Sequence, residues 1–438
     1  MTGLPRPASG DLAALDAIAA ADEIRAGRLT SEALVQACLD RIAVRDEAVR
    51  AWTHLDPEAA LAAARAADRS APQGLLHGVP VGIKDVIRTA DMPTGMNSPH
   101  HQSDGPTQDA AAVEILRHHG AIVLGKLDTV EFAVNGRRAA TRNPHDPAHT
   151  PGGSSSGSGA AVADFQVPLA LGTQTGGSVI RPAAFCGVPA MKPSWGSVPT
   201  EGMRSCSASL DTLGWYGRSV RDLALLWRAF QWQAALPVAP EIAGLRIGLC
   251  LSPVADLLQP PALAALAMAA EALRGAGAEV IPVELPEPEG ARLSEAHKTV
   301  MQGEMRATFL NEALRFPDLY PELRGIVTAP MQDDFLDALD FAAAMRPRTD
   351  ALFAPFDAVL TPSAPDVAPI GPENTGGALC NRIWTLLHLP VIHLPLPHGP
   401  GLLPAGVSLI APRGRDAALL NTATALEGLF ATCPPRGA

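Results

Sequence analysis

The stretch TPGGSSSGSGAAVADFQVPLALGTQTGGSVIRPAAFCGV, residues 150–188, contains five serines and eight glycines. Most of them lie in two short turns, at 152–156 and 176–178, which a largely apolar segment separates. A flexible glycine–serine linker would stay polar along its whole length. The segment between the turns has instead the length of one helix followed by one strand. The stretch therefore predicts two ordered serine-bearing turns within a folded domain.

Three interpretations of these turns compete. A phosphate-binding loop needs a Lys-Ser or Lys-Thr pair directly after its glycines, and the first lysine after them is Lys192. A nucleophile elbow, Gly-x-Ser-x-Gly, matches residues 153–157 with Ser155 at its centre, but an elbow follows a strand. The preceding RNPHDPAHTP, residues 142–151, contains three prolines and does not read as a strand. The third interpretation, a glycine-rich structural turn with no catalytic role, cannot be decided from this stretch alone.

The composition is that of a globular chain with enough apolar material for a large core. Of 438 residues, 47% are hydrophobic and 18% are charged, and the formal net charge is −11. A nucleic-acid-binding face needs clustered basic residues, so this charge disfavours a nucleic-acid partner. The six cysteines are scattered without a Cys-x-x-Cys pair, which indicates free thiols in a reducing compartment and no zinc site.

The first ten residues, MTGLPRPASG, lack the charged start and apolar core of a signal peptide. No run of the chain approaches the ~18 apolar residues of a membrane-spanning helix. We therefore expect a cytoplasmic protein with no membrane partner.

Helical and strand patterns alternate along the chain. Thr30 or Ser31 is expected to cap a helix. Apolar residues alternate as in a half-buried strand at 78–86, which places Lys84 on the opposite face of that strand. A helix at 111–119 is ended by Gly120. Comparable patterns are a strand at 121–124, a helix at 264–277, strands at 279–283, 390–396 and 407–410, and a helix at 416–429.

This alternation predicts an α/β fold, a single domain over 1–438 with a large twisted mixed β-sheet covered by helices on both faces. No proline- or glycine-rich break is long enough for a clear interdomain linker. Four parts are expected within the domain: N-terminal helices at about 8–70, a central core at about 75–230, a helical excursion at about 255–355, and a C-terminal sheet and helix part at about 356–432.

Several runs, in this order, make the chain resemble the amidase signature family. No single run is decisive, whereas the ordered set spans most of the chain. The resemblance implies a serine-dependent amide hydrolase that uses no metal and no cofactor. The runs are GVPVGIKDV (78–86), TPGGSSSGSGAAVA (150–163), ALGTQTGGSVIRPAAFCGV (170–188), MKPSWG (191–196), SLDTLGWYGRSVRDLA (209–224) and LPAGVSLIAPRGRDAALL (403–420).

The resemblance assigns roles residue by residue. Ser178 matches the nucleophile, and Ser154 matches a bridging serine that follows a cis peptide bond from Gly153. Lys84 matches the general base. In such an oxyanion hole, small glycines let successive amides turn toward one point. The hole is implied to consist of the backbone amides of Thr175, Gly176, Gly177 and Ser178, and the serines expected to be structural are Ser155, Ser156 and Ser158.

A lysine can act as a base only when it is neutral. Its ordinary pKa is about 10.4, so neutrality at pH 7 costs roughly 4–5 kcal/mol. Burial among uncharged neighbours lowers the pKa of a lysine. The residues beside Lys84, at 81–83 and 86, are uncharged, and Asp85 is expected on the other face of the strand.

Two positions depart from the family pattern. Gln174 stands where an acidic residue is common, and Arg181 lies three residues after Ser178 where the family has an arginine two residues after the nucleophile. One interpretation is that Arg181 caps or braces its segment through a buried salt bridge. The other is that it binds a substrate carboxylate in a bidentate manner, since GTQTGGSVIRPA is similar to the malonamidase-like branch of the family.

The resemblance implies hydrolysis of a carboxylic amide to an acid plus ammonia or an amine, with a small-molecule amide, including small carboxylate-bearing amides, as substrate. An alternative is the glutaminase-like subunit of a tRNA-dependent amidotransferase, although LDTVEFAVNG (127–136) only loosely resembles the expected run. A third hypothesis is a non-catalytic interaction protein on the same fold. The oligomeric state is open, with a homodimer as one possibility.

Overall fold

A mixed β-sheet runs through the part of the chain that the computed structural model describes, residues 7–436 without 9, 103–104, 106, 135, 232–237 and 252. Within these residues the sheet has eleven strands in the spatial order β1-β3-β2-β4-β6-β5-β10-β11-β9-β7-β8. The strands are β1 (Trp52–Leu55), β2 (Pro80–Lys84), β3 (Ile122–Leu127), β4 (Leu169–Gln174), β5 (Ala190–Lys192), β6 (Thr212–Tyr216), β7 (Arg246–Leu249), β8 (Glu279–Pro282), β9 (Ala358–Pro362), β10 (Val391–Pro395) and β11 (Gly406–Ile410).

Fourteen α-helices surround the sheet within the same described residues. They are α1 (Ala17–Arg25), α2 (Ser31–Val49), α3 (Pro57–Asp68), α4 (Ala111–His118), α5 (Ser156–Ala163), α6 (Ile180–Cys186), α7 (Val220–Gln231), α8 (Pro260–Gly275), α9 (Glu289–Thr308), α10 (Leu310–Arg315), α11 (Pro321–Thr328), α12 (Phe335–Phe353), α13 (Leu379–Leu386) and α14 (Asp416–Ala431). Short 3₁₀ turns occur at Leu12–Ala14, Glu131–Ala133 and Ala255–Leu257.

The strands bury side chains on both faces of the sheet. Along β4, Leu169 and Leu171 contribute to one apolar core, while Ala170 contributes to the other, because successive side chains of a strand point to opposite faces. Helices α1, α4, α7, α8 and α14 cover the first face, and α2, α3, α5, α6, α9, α12 and α13 cover the second. The predicted α/β fold, a single domain with a mixed sheet and helices on both faces, is confirmed.

Local sequence patterns predicted the positions of several of these helices and strands. Thr30 caps α2, since its hydroxyl accepts the amide of Ala33 at 3.1 Å. The helix expected at 111–119 is α4, and the strand after it is β3. The expectation of a half-buried strand at 78–86 differs from the structure, because all five residues of β2 are buried. Strand β2 lies between β3 and β4, and helices cover both faces of the sheet there.

The segment expected as a helical excursion contains two different parts. Strand β8 pairs in parallel with β7 at the edge of the sheet, and α8 connects them. Helices α9–α11 follow and pack partly around a small apolar cluster with Phe132 and Cys206, and α12 packs on the second face of the sheet. The four-part division of the domain therefore stays a prediction, while the sheet itself is continuous across it.

None of the helices in the described ranges combines the length and the apolar character needed to cross a bilayer. None of the six cysteines, all of which the structure describes, forms a disulfide bond. Across the described residues, no group of three histidine, cysteine or acidic side chains is placed to hold a metal ion.

Candidate active site

The three predicted site residues lie at one edge of the sheet. Lys84 is the last residue of β2, Ser154 lies in the turn before α5, and Ser178 lies in the turn between β4 and α6. Strands β2 and β4 are parallel neighbours, so their carboxyl ends meet at the same edge. Helix α5 packs on β2, β3 and β4, which brings the first turn beside the second.

The amine of Lys84 contacts two hydroxyls inside the protein. Its Nζ lies 2.7 Å from Ser154 Oγ and 2.7 Å from Thr173 Oγ1, and the side chain is fully buried. Burial holds the pKa of Lys84 well below its ordinary value; the negative charge of Asp211 opposes the shift, and Arg181 lowers this pKa further. A neutral amine in this position can accept the proton of the Ser154 hydroxyl.

Asp85 does not approach the Lys84 amine. It forms a buried ion pair with Lys126 at 3.2 Å, and Lys126 also donates to Thr94 Oγ1 at 2.6 Å. Asp85 lies just after the end of β2, and its pairing with Lys126 agrees with the expectation that it points away from the Lys84 side chain. The separation leaves Lys84 without a directly paired carboxylate.

Hydrogen bonds join the two serine-bearing turns. The peptide bond from Gly153 to Ser154 is cis, as the resemblance implied. The amide of Ser155 donates to the Ser178 carbonyl at 3.4 Å, and the Ser155 hydroxyl accepts the Thr173 amide at 3.2 Å. The remaining serines of the first turn also bond the backbone: Ser156 Oγ donates to the Gly152 carbonyl at 2.8 Å, and Ser158 Oγ donates to the Leu171 carbonyl at 2.9 Å.

The second turn presents its backbone amides without acceptors. Ser178 and Gly176 are partly exposed, whereas Lys84 and Ser154 are buried. Among the described residues, the amides of 175–178 have no hydrogen-bond acceptor. Neither Gly176 nor Gly177 has a left-handed φ. The backbone conformation of this turn is therefore open to other residue types and does not by itself require glycine. At Gly177 the requirement is space, because an added Cβ would lie 3.2 Å from the Cβ atoms of Ala378 and Asn381.

The side-chain amide of Gln174 accepts backbone hydrogen bonds that a carboxylate at this position could also accept. Its Oε1 accepts the amides of Val179 and Ile180, at 2.9 and 3.1 Å, at the start of α6. Its Nε2 donates to Thr385 Oγ1 at 3.1 Å. The glutamine therefore satisfies two helix-terminal amides and fixes the second turn to α13, so this departure leaves the turn intact.

Arg181 is buried and binds carbonyl groups. Its two terminal nitrogens donate to the carbonyls of Gly153, at 2.5 Å, and Gly376, at 2.9 Å. Burial lowers the pKa of Arg181 to about 10, with the nearby charges of Arg382 and Arg138 acting in the same direction. No acidic side chain in the described part of the chain lies within salt-bridge distance of it. Arg181 thus holds the carbonyl of the cis peptide bond that precedes Ser154.

Sequence reasoning missed several residues of the site. Thr173 contacts the Lys84 amine, and Asp211 accepts the Thr175 hydroxyl at 2.5 Å. Both lie inside the runs that carried the resemblance, Thr173 on β4 and Asp211 directly before β6, so a polar residue in or beside an otherwise apolar strand was an available signal. His297 and Thr385 also contact the second turn, and they lie on helices for which no motif was recognised.

Comparison with known proteins identifies the family. Residues 33–420 match the family model described as Amidase. The chain belongs to the amidase family. The membership confirms the family predicted from the ordered runs and makes the protein an enzyme that hydrolyses carbon–nitrogen bonds of amides.

Individual amidase-family relatives cover nearly the whole chain. A curated relative from Chloroflexus aggregans, one of the subunits of Glutamyl-tRNA(Gln) amidotransferase, is 34% identical over 93% of this chain and 95% of its own length. The native peptide amidase from Stenotrophomonas maltophilia has a TM-score of 0.81, with 30% identity over 96% of this chain and 98% of that one. A structure described as "An unexpected vestigial protein complex reveals the evolutionary origins of an s-triazine catabolic enzyme" has a TM-score of 0.85, with 29% identity over 97% and 100%.

Proposed function

We propose that the protein hydrolyses a carboxylic amide through an acyl-enzyme on Ser178, with Lys84 and Ser154 as base and proton relay. The observation that carries the proposal is the buried contact of 2.7 Å between the Lys84 amine and the Ser154 hydroxyl, at the turn next to Ser178. The depressed pKa of Lys84 supports it, because only the neutral amine can take up a proton.

The reaction follows from these positions. Ser178 Oγ attacks the amide carbonyl carbon, and its proton passes through Ser154 to Lys84. The negative charge that develops on the carbonyl oxygen is held by the backbone amides of 175–178. The carbon–nitrogen bond then breaks as Lys84 returns the proton, through Ser154, to the leaving nitrogen. Water hydrolyses the acyl-enzyme by the same route and releases the acid and free Ser178.

The contacts of Arg181 help to decide whether this residue recognises a carboxylate of the substrate. Each terminal nitrogen donates one hydrogen bond to a carbonyl of the protein, which supports bracing of the Ser154 turn, and the buried Nε has no partner among the described residues. We therefore expect the Arg181→Ala variant to lose activity toward malonamate and toward neutral amides by similar factors. A loss confined to malonamate would instead assign Arg181 to carboxylate recognition.

A second candidate is an ammonia-supplying subunit that hydrolyses glutamine for a partner. The curated relative from Chloroflexus aggregans favours this candidate, since it is named as part of an amidotransferase and aligns with 93% of this chain. The peptide amidase, at 30% identity and a TM-score of 0.81, favours the first candidate. Both candidates use the same chemistry on Ser178 and differ in the partner required.

Ammonia release from a panel of amides tests both candidates. The panel contains malonamate, simple aliphatic and aromatic amides, a peptide amide and L-glutamine, each with the wild-type protein and the Ser178→Ala variant. Hydrolysis by the wild-type protein alone, absent in the variant, is the expected result. Glutamine hydrolysis that appears only with subunits co-purified from the native cell would favour the second candidate. No ammonia from any amide under either condition would overturn both.

A further inference from the structure

The carbonyls of Thr175, Gly176 and Gly177, at and just before the second turn, each accept a hydrogen bond. His297 Nε2 lies 2.8 Å from the carbonyl oxygen of Thr175, and Thr385 Oγ1 lies 2.8 Å from that of Gly176. The carbonyl of Gly177 accepts the Arg181 amide at 3.0 Å, in the first turn of α6. Three successive carbonyls thus have three different partners, while the amides of the turn have none among the described residues.

Fixing a carbonyl fixes the amide that follows it. In a planar trans peptide unit the C=O of one residue and the N–H of the next point in opposite directions. The peptide bonds of this turn are trans. His297 therefore sets the direction of the Gly176 amide, and Thr385 sets that of the Gly177 amide, each away from the helix that provides the donor.

Both donors are themselves held firmly. His297 is 3% exposed and Thr385 is fully buried, and their helices α9 and α13 pack against each other. The carboxylate of Glu304, two turns along α9, accepts the Ser207 hydroxyl and the Ser209 amide, which fixes α9 to the loop before β6. These ties restrict movement of the two donors relative to the turn.

The protonation of each donor suits its role. Burial lowers the pKa of His297 to about 4, so the ring is neutral near pH 7, and its contact with a carbonyl requires the proton on Nε2. The Thr385 hydroxyl accepts a hydrogen bond from Gln174 Nε2 at 3.1 Å. As a donor it is closer to the Gly176 carbonyl, at 2.8 Å, than to the Asn381 carbonyl, at 3.3 Å.

We propose that His297 and Thr385 are positioning residues of the oxyanion hole, which hold the carbonyls of Thr175 and Gly176 so that the next two amides point at the developing oxyanion. The inference rests on the proposed function, since it assigns these residues to the hole used by Ser178. They act through the backbone and contact no reacting atom.

Matched pairs of variants test this role. Thr385→Val removes the hydroxyl at nearly constant volume, and Thr385→Ser retains it. His297→Leu removes the ring donor, and His297→Gln retains an N–H at a similar reach. Because one lost oxyanion donor costs roughly 10²–10³-fold in kcat, a donor that is only misdirected is expected to cost about 10–10²-fold. The retaining variants are expected to recover most of the rate.

Two probes separate positioning from a purely structural effect. Hydrolysis of p-nitrophenyl acetate reports the rate, and inhibition by phenylboronic acid reports binding of an anionic tetrahedral adduct on Ser178. Thr385→Val and His297→Leu should weaken phenylboronic acid in parallel with kcat, while inhibition by benzyl alcohol, a neutral ligand that cannot acylate Ser178, stays within about twofold. A merely structural role would weaken both inhibitors together or neither.

The outcomes distinguish this inference from the proposed function. If the wild-type protein hydrolyses neither p-nitrophenyl acetate nor any amide of the panel, the proposed function is wrong. If the wild-type protein is active and Thr385→Val keeps its kcat and its affinity for phenylboronic acid, the positioning role of Thr385 is wrong while the proposed function stands. The same result in His297→Leu would show that the positioning role of His297 is wrong. Thermal unfolding of each variant confirms folding. Where Thr385→Val or His297→Leu fails to fold, Thr385→Ala or His297→Ala removes the same donor without adding bulk and gives the same test.

Discussion

The amine of Lys84 and the hydroxyl of Ser154 lie 2.7 Å apart, although 70 residues separate them in the chain. Both side chains are buried, with Lys84 fully inaccessible and Ser154 3% exposed. A charged ammonium is costly in such surroundings, whereas a neutral amine can exchange a proton with the hydroxyl. This contact is the basis of the proposed chemistry, and the first two predictions follow from it.

Replacing Lys84 with methionine should abolish most amide hydrolysis without unfolding the protein. The variant removes the base that accepts the serine proton, and general-base catalysis contributes roughly 10²–10⁴-fold, so kcat should fall by about that factor. Lys192→Met is the matched control: Lys192 is also fully buried, but it donates to the carbonyls of Leu389 and Pro193. Retention of a tenth or more of kcat by Lys84→Met would contradict the assigned role.

The rate should rise with pH as Lys84 loses its proton. Since burial lowers the pKa of Lys84, the acid limb of kcat/KM should have its midpoint well below 10.5. The charge of Asp211 acts to raise that pKa, and the charge of Arg181 acts to lower it. Asp211→Asn removes one negative charge, so the limb should move to lower pH in a full pH–rate profile. A shift to higher pH would contradict this electrostatic assignment.

The buried pair of Asp85 and Lys126 should behave as a coupled unit in folding. Burial raises the pKa of Asp85 and lowers that of Lys126, and the attraction between the two charges opposes both shifts. Lys126→Met leaves a buried carboxylate unpaired and should cost about 3–5 kcal/mol in the free energy of unfolding. The double variant with Asp85→Asn should recover at least half of this loss in urea titrations, and additive losses would argue against coupling.

The two glycines of the second turn should differ in their tolerance of a methyl group. At Gly177 an added Cβ would lie 3.2 Å from the Cβ atoms of Ala378 and Asn381, tighter than an ordinary contact. At Gly176 the nearest atom, in the His297 ring, would be 3.6 Å away. Gly177→Ala should therefore displace the turn and lower kcat about tenfold or more, because oxyanion donors depend on direction. Gly176→Ala should fold normally and lose less, as steady-state kinetics would show.

Buried histidines should make the protein less stable in acid. Burial lowers the pKa of His393 to about 3 and that of His297 to about 4, from an ordinary value of 6.5. Between these values and 6.5 the unfolded chain binds protons that the folded chain does not, so stability falls as pH falls. The expected slope is about 1.4 kcal/mol per pH unit for each such histidine.

Urea midpoints between pH 7.5 and 5 measure this slope. In His393→Asn the amide group can replace Nδ1 as the partner of the Ser363 hydroxyl, which lies 2.7 Å from that nitrogen. The variant should therefore retain the fold and show a shallower dependence on pH. An unchanged slope would mean that His393 does not contribute to the loss of stability in acid.

Much of the fold could be predicted because its signals are local. The cap at Thr30, the Gly120 that ends α4, and the apolar strand that becomes β3 depend on neighbours within a few residues. The burial of β2 on both faces was not predicted, since it depends on which strands lie beside it. The sheet order likewise joins strands that are distant in the chain.

The sequence by itself determined the family, the fold class and the positions of Lys84, Ser154 and Ser178, because these lie in short ordered runs. Only the tertiary structure decided what Arg181 touches and which groups hold the turn of Ser178. His297 is 122 residues from Thr175, and Thr385 is 209 residues from Gly176. No local pattern marks either residue, since a hydrogen bond to a backbone carbonyl requires only a donor at the right place. That place is created when α9 and α13 pack beside the turn.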